Sequence, residues 1–233
     1  MSGLILTIQN NEGVFRLMEA DAGAAVARFT EAVHQASEIL SGGLTSSNTS
    51  AGGGMNESPM VQGGDNFVSV NIFDSIVSRD NTDTFLGVYQ RAFLLADDFN
   101  PHQHPKLFST IMLYNLALAY HHAALIKSHS FVMNMKAALR SYKNALGILR
   151  RCDGPSIDTR LLLVLAIINN LRHVFAALDR VSDAESCDGM MDSLIIAHDT
   201  VLWEAGDDME FFYLGHFCRT CGMNQTLSAA AAA

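Results

Sequence analysis

The tightest cluster of reactive side chains is His216-x-Cys218-x-x-Cys221. An imidazole beside two thiols in this spacing can ligate zinc or cycle as a redox couple. A structural zinc needs four ligands, and Cys152 and Cys187 stand at no partnering spacing. No βαβ pattern surrounds the pair as a thioredoxin-like site requires. No bound metal is therefore expected, and a small metal-binding or redox protein built on His216, Cys218 and Cys221 is the alternative. Histidines also gather at His102, His104, His121, His122 and His129. Neutral imidazole is a common metal ligand. However, Pro101 and Pro105 mark His102 and His104 as loop residues, and no carboxylate recurs at ligand spacing beside His121. These histidines read as surface or interhelical residues. The phosphate-cradling loop, the nucleophile elbow, His-Glu-x-x-His and the dinucleotide fingerprint are all missing from the sequence. The chain is expected to be no enzyme and to use no cofactor.

Composition narrows the classes further. The 233 residues suffice for one large domain or two small ones with a core. A hydrophobic fraction of 49% with 17% charged residues is that of a folded, soluble chain. The net charge of −9 and the scattered Lys and Arg, densest at Arg150-Arg151, disfavour a nucleic-acid partner. The N-terminus Met1-Ser2-Gly3-Leu4 shows no secretory leader. The longest apolar run, Leu161 to Ile168, is stopped by Asn169-Asn170 and Arg172, so no membrane association is expected. Four cysteines in so apolar a chain form no disulfide framework, which points to a reducing, cytoplasmic or nuclear, compartment.

The elements that must position these residues are mostly helical. Residues 4–40 read as two helices, with Asp21 placed to cap the second. Residues 41–66, rich in Gly, Ser and Asn, read as a flexible loop. Within the 67–104 insertion, Phe67 to Phe73 looks extended. The segment Phe85 to Ala96 fits a strand paired with it, giving a short β-hairpin. A helical stripe of Phe85, Val88, Tyr89, Ala92 and Phe93 is the competing reading. From 105 to 205 two helix pairs follow, near 106–127 with 130–151 and 157–178 with 183–204. Ser130, the Asp153-Gly154-Pro155 stop and a Ser182-x-x-Glu185 capping box delimit them. Residues 206–233 hold the packing run Phe211 to Leu214 and an Ala tail expected to fray.

The helix pairs repeat. Ala25, Phe29 and Ala32 match Ala138, Tyr142 and Ala145, while Leu116-Ala117 with Tyr120 matches Leu171 with Phe175. Thirteen residues separate Leu171 from Ala184 (184 − 171) and Glu12 from Ala25 (25 − 12). In this pattern the chain resembles tetratricopeptide repeats. It is also similar to a large set of uncharacterised tetratricopeptide-like proteins from photosynthetic microalgae. Asn10 to Val14, Tyr89 to Phe93, Leu113 to His122 and Asn169 to Leu171 carry that resemblance. It covers roughly 5–38 and 85–200. It implies a mainly α fold, an α-solenoid of antiparallel helix pairs with the loop and hairpin inserted between the first and second pairs. No agreed activity comes with it. The departures are Glu12 and Arg16 in the first repeat, a span of twenty-two from Leu116 to Ala138 (138 − 116), and Arg172, Asp188 and Met191 in the last. A generic helical bundle with Ala-rich interfaces is the alternative.

The resemblance gives three asparagines a shared place. Asn11, Asn115 and Asn170 each precede the Leu-small pair of their repeat, a position that faces the concave groove in the family. A side-chain amide there can both donate to and accept from the backbone of an extended peptide. The expected function is thus a protein-interaction scaffold holding a partner's peptide, lined also by His122 and His173. The alternative is asparagine kept at that position for solubility alone.

Overall fold

The computed structural model describes residues 2–42, 67–72, 88–126, 128–152, 157–198 and 207–220. Most of the 41–66 loop, Phe85, the Asp153-Gly154-Pro155 stop, the end of the helix expected to reach 204, Cys221 and the Ala tail lie outside the described residues. The fold is mainly helical, with one small two-stranded antiparallel sheet. Its elements run α1 (Ser2–Met18), α2 (Ala22–Gly42), β1 (Phe67–Asn71), β2 (Arg91–Leu95), α3 (Pro105–Ile126), a 3-10 turn (Ser128–Ser130), α4 (Phe131–Leu149), α5 (Ile157–Ala177), α6 (Val181–Ala197) and α7 (Asp207–Thr220). Each helix packs on the next in order, α1 on α2, α2 on α3, and so on to α7. The N-terminal pair therefore lies directly on the later ones, although the hairpin intervenes in sequence.

The small and aromatic residues of the recurring pattern lie in this packing. Ala25, Phe29, Ala32, Ala117, Ala138, Tyr142 and Ala145 are all fully buried. At Gly13 the need for a small residue is steric, because a Cβ there would lie 2.5 Å from the ring of Phe29. The turn from α1 to α2 closes with Ala20 in the left-handed region (φ 63) and Asp21 N–H donating to the Arg16 carbonyl at 2.9 Å. The turn from α5 to α6 does the same with Asp179 (φ 56) and Arg180 N–H on the Phe175 carbonyl at 2.9 Å. Both are the left-handed stop that satisfies the last carbonyls of a helix.

The capping expectations divide. Asp21 Oδ1 accepts the Ala24 N–H at 2.9 Å, as its position implies. Ser130 caps no backbone N–H with its side chain, and its hydroxyl instead accepts from Asn134 Nδ2 at 3.0 Å. The Ser182-x-x-Glu185 box lies inside α6, because that helix starts at Val181, two residues before the expected 183, directly after the tight stop at Asp179. Within α5, Arg160–Ala177 is long and apolar enough to cross a membrane by length and composition, and this window runs through Asn169-Asn170 and Arg172. In the fold 61% of that window is buried, and its apolar character matches a helix packed between α4 and α6.

Within the insertion, the described residues 67–71 and 91–95 are strands, in line with the extended reading. β1 and β2 pair antiparallel from Phe67↔Leu95 to Asn71↔Arg91, and Ile72 N–H donates to the Gln90 carbonyl at 3.2 Å. The helical reading fails over the described residues 89–95, which have their backbone partners on either side rather than along their own axis.

Candidate functional site

β2 and the residues leading into it lie against α1 and α3. In an antiparallel pair, successive residues point their backbone groups to opposite edges. Gln90 turns its carbonyl to β1, so Tyr89, Arg91, Phe93 and Leu95 present theirs to the helices. A buried strand edge with no partner would be costly, and here asparagine amides supply one.

The pairing is two-sided at three places. Asn11 Nδ2 donates to the Leu95 carbonyl and its Oδ1 accepts the Leu95 N–H, both at 2.9 Å. Asn115 Nδ2 donates to the Phe93 carbonyl at 2.8 Å, and its Oδ1 accepts the Phe93 N–H at 3.0 Å. Asn170 Nδ2 donates to the Tyr89 carbonyl at 3.0 Å, and its Oδ1 accepts the Tyr89 N–H at 2.8 Å. Each amide copies what a neighbouring strand would offer. Tyr114 fills the remaining place, its hydroxyl donating to the Arg91 carbonyl at 3.0 Å.

Neighbouring amides orient these three. Asn10 Nδ2 bonds Asn11 Oδ1 and the Phe93 carbonyl, both at 3.1 Å, and Asn10 Oδ1 accepts from Asn115 Nδ2 at 2.9 Å. Asn169 Nδ2 donates to Asn170 Oδ1 at 3.2 Å, and Asn170 Nδ2 reaches the Tyr142 hydroxyl at 3.1 Å. Burial pushes the Tyr142 phenol far above its ordinary range, so it remains a neutral hydroxyl. Asn10, Asn169, Tyr114 and Tyr142 were not singled out from sequence as site residues. The signal available was that Asn10 and Asn169 double their asparagines.

The structure thus brings Asn11, Asn115 and Asn170 onto one surface. Asn115 and Asn170 have no exposure and Asn11 is half-buried, so these are not the partly open side chains expected of an empty groove. The backbone they hold is the chain's own, residues 89–95. His173, on α5, faces His121 on α3, with Nδ1 and Nε2 at 2.9 Å. One imidazole must donate and the other accept, which requires at least one neutral ring. His122 is buried beside them. Burial holds the His122 pKa down at about 4. Burial, and then the Arg172 charge, do the same for His173, also at about 4. His121 is lowered well below its usual value by burial, and then by the His173 and His122 charges. The His121–His173 pair ties α3 to α5.

His216 lies on α7 with Nδ1 2.8 Å from Asp192 Oδ1 of α6, an interhelical contact. The side chain of Cys218 and all of Cys221 lie outside the described residues. His102 and His104 are exposed in the turn before α3. Among the described residues, the groups that meet residues 89–95 here are side-chain amides and the Tyr114 hydroxyl, which can hold an extended backbone in a fixed direction. Comparison with protein-family models, curated proteins and solved structures returned no match for the chain.

Proposed function

We propose that this chain is a non-catalytic protein-interaction module, a tetratricopeptide-like solenoid of antiparallel helix pairs whose concave face holds an extended peptide backbone. The observation that carries the reading is the set of three two-sided pairs from Asn11, Asn115 and Asn170 to backbone, since side-chain amides aimed at peptide groups are indifferent to the sequence they hold. The repeat reading is supported by a constant offset of 159 residues. It relates Asn11 to Asn170 (170 − 11), left-handed Ala20 to Asp179 (179 − 20), and buried Ala25 to Ala184 (184 − 25). In the resting chain residues 89–95 occupy the face, and a partner's segment takes their place.

The test is crosslinking capture from a native lysate with three full-length chains, each checked for helical content by circular dichroism. Phe93→Ala, which loosens the resident segment, should recover more partner than wild type. Adding Asn115→Ala should abolish the gain. Equal recovery from all three chains overturns the reading.

A further inference from the structure

Asparagine amides do not read side chains, yet the side chains of the resident segment are closely enclosed. Val88, Tyr89, Ala92, Phe93 and Leu95 are buried, while Gln90, Arg91 and Leu94 are half-buried. The Tyr89 ring lies 4.9 Å from Phe212 and 5.4 Å from Phe211, both on α7. The Phe93 ring meets Phe67 edge-on at 5.0 Å and Tyr114 at 4.9 Å. Ala92 has no exposure, so a larger side chain there must displace core atoms. Leu95 is likewise enclosed, beside Asn11 of α1.

Direction is set as firmly as composition. The segment runs from Asn170 on α5 past Asn115 on α3 to Asn11 on α1, meeting them at Tyr89, Phe93 and Leu95. A strand advances about 3.3 Å per residue, so these contacts fall roughly 13 and 7 Å apart along it. A reversed strand would present each N–H where a carbonyl now stands, against amides whose orientation Asn10 and Asn169 fix.

We propose that residues 88–95 are a resident copy of the partner's recognition segment. The partner is an extended protein segment carrying aromatic, small, aromatic and aliphatic residues in the spacing of Tyr89, Ala92, Phe93 and Leu95, entering from α5 toward α1 beside β1. This inference rests on the reading that the inner face holds backbone. Exchange replaces each bond and each packed ring by its like, so the resident prevails through tethering, equivalent to a millimolar local concentration for a short link. A free peptide of the same sequence therefore competes poorly with an intact resident and well with a weakened one.

The experiment titrates a fluorescein-labelled peptide of sequence 88–96 into full-length wild type, Phe93→Ala and the milder Leu95→Ala, followed by fluorescence anisotropy. Circular dichroism identifies which variants keep the wild-type helical signal, and Leu95→Ala serves if Phe93→Ala does not. The loosened chain should bind the peptide more than about tenfold tighter than wild type, the change expected from removing a buried apolar side chain of the resident. Peptides with Ala in place of the tyrosine or phenylalanine, Leu in place of the central alanine, or the reversed sequence should each lose about tenfold or more. If all peptides bind the loosened chain equally, the side-chain pattern is wrong while the backbone-holding reading stands. If no peptide binds a loosened chain of native helical content, residues 88–95 are a permanent part of the core, and both readings fall.

Discussion

Asn115 shows what a single buried amide does in this protein. It donates to one peptide carbonyl, accepts one peptide N–H, and receives orientation from Asn10. Truncation leaves the Phe93 N–H and Asn10 Oδ1 buried and unpaired, at about 1–3 kcal/mol for each, while Asn10 Nδ2 still reaches the Phe93 carbonyl. Asn115→Ala should therefore lower the urea midpoint substantially, and a midpoint within error of wild type would show the pairs to be incidental. Asn115→Asp sets an acceptor against the Phe93 carbonyl. Burial beside a carbonyl raises a carboxyl pKa, so the folded variant binds a proton more readily than the unfolded one. Its deficit relative to wild type should shrink as pH falls from 7 to 5, read as the difference in unfolding midpoints. Ala20 offers the opposite sign. Its left-handed backbone (φ 63) strains any side chain with a Cβ. Ala20→Gly should stabilise the chain by about 0.5–1 kcal/mol despite the looser unfolded state, measurable by thermal melting.

At the scale of elements, α1 and α2 meet tightly at Gly13. The 2.5 Å distance from an added Cβ at Gly13 to the Phe29 ring means that Gly13→Ala must separate the two helices or rotate the ring. Overpacking of this kind costs typically about 1–3 kcal/mol, to be read by chemical denaturation. Relief by a second change, Phe29→Leu, would place the effect at this contact. The contact between α3 and α5 depends on neutral imidazoles. His122 and His173 have folded pKa values near 4, below the ordinary 6.5. The unfolded chain thus binds more protons between those limits, and stability is lost as pH falls from about 6.5 toward 4. His122→Asn should flatten that dependence by roughly 2 kcal/mol at pH 5 relative to wild type. Parallel pH profiles would show that His122 carries no such linkage.

At the scale of the whole molecule, the sheet and the helices share one core. Phe93 is buried between Phe67 and Tyr114, and Tyr89 between α5 and α7. The segment is secured by side-chain amides on helices separated widely in sequence, 84 residues between Leu95 and Asn11 and 81 between Tyr89 and Asn170. Exchange of the Tyr89, Phe93 and Leu95 amides with deuterium should report how often the resident leaves. If residues 88–95 exchange with a partner, these amides open more readily than those in the middle of α3, through a sub-global step. Protection equal to that of α3 would mean that they open only when the whole chain unfolds.

The sequence by itself determined most of the helical layout. Small and aromatic residues recur at intervals that suit only close helix pairs, and the bounds of α1, α2, α3 and α5 follow those intervals to within about two residues. It also set Asn11, Asn115 and Asn170 at matching positions of a recurring pattern, and the structure brings all three against residues 89–95. Two features were beyond its reach. Ser182 carries the residue type of a helix cap, yet it lies inside α6, which follows the Asp179 stop directly. The occupant of the asparagine surface depends on contacts between residues more than 80 positions apart. An amide that can hold any backbone carries no mark of which backbone it holds, so only the tertiary structure could assign that place to residues 89–95.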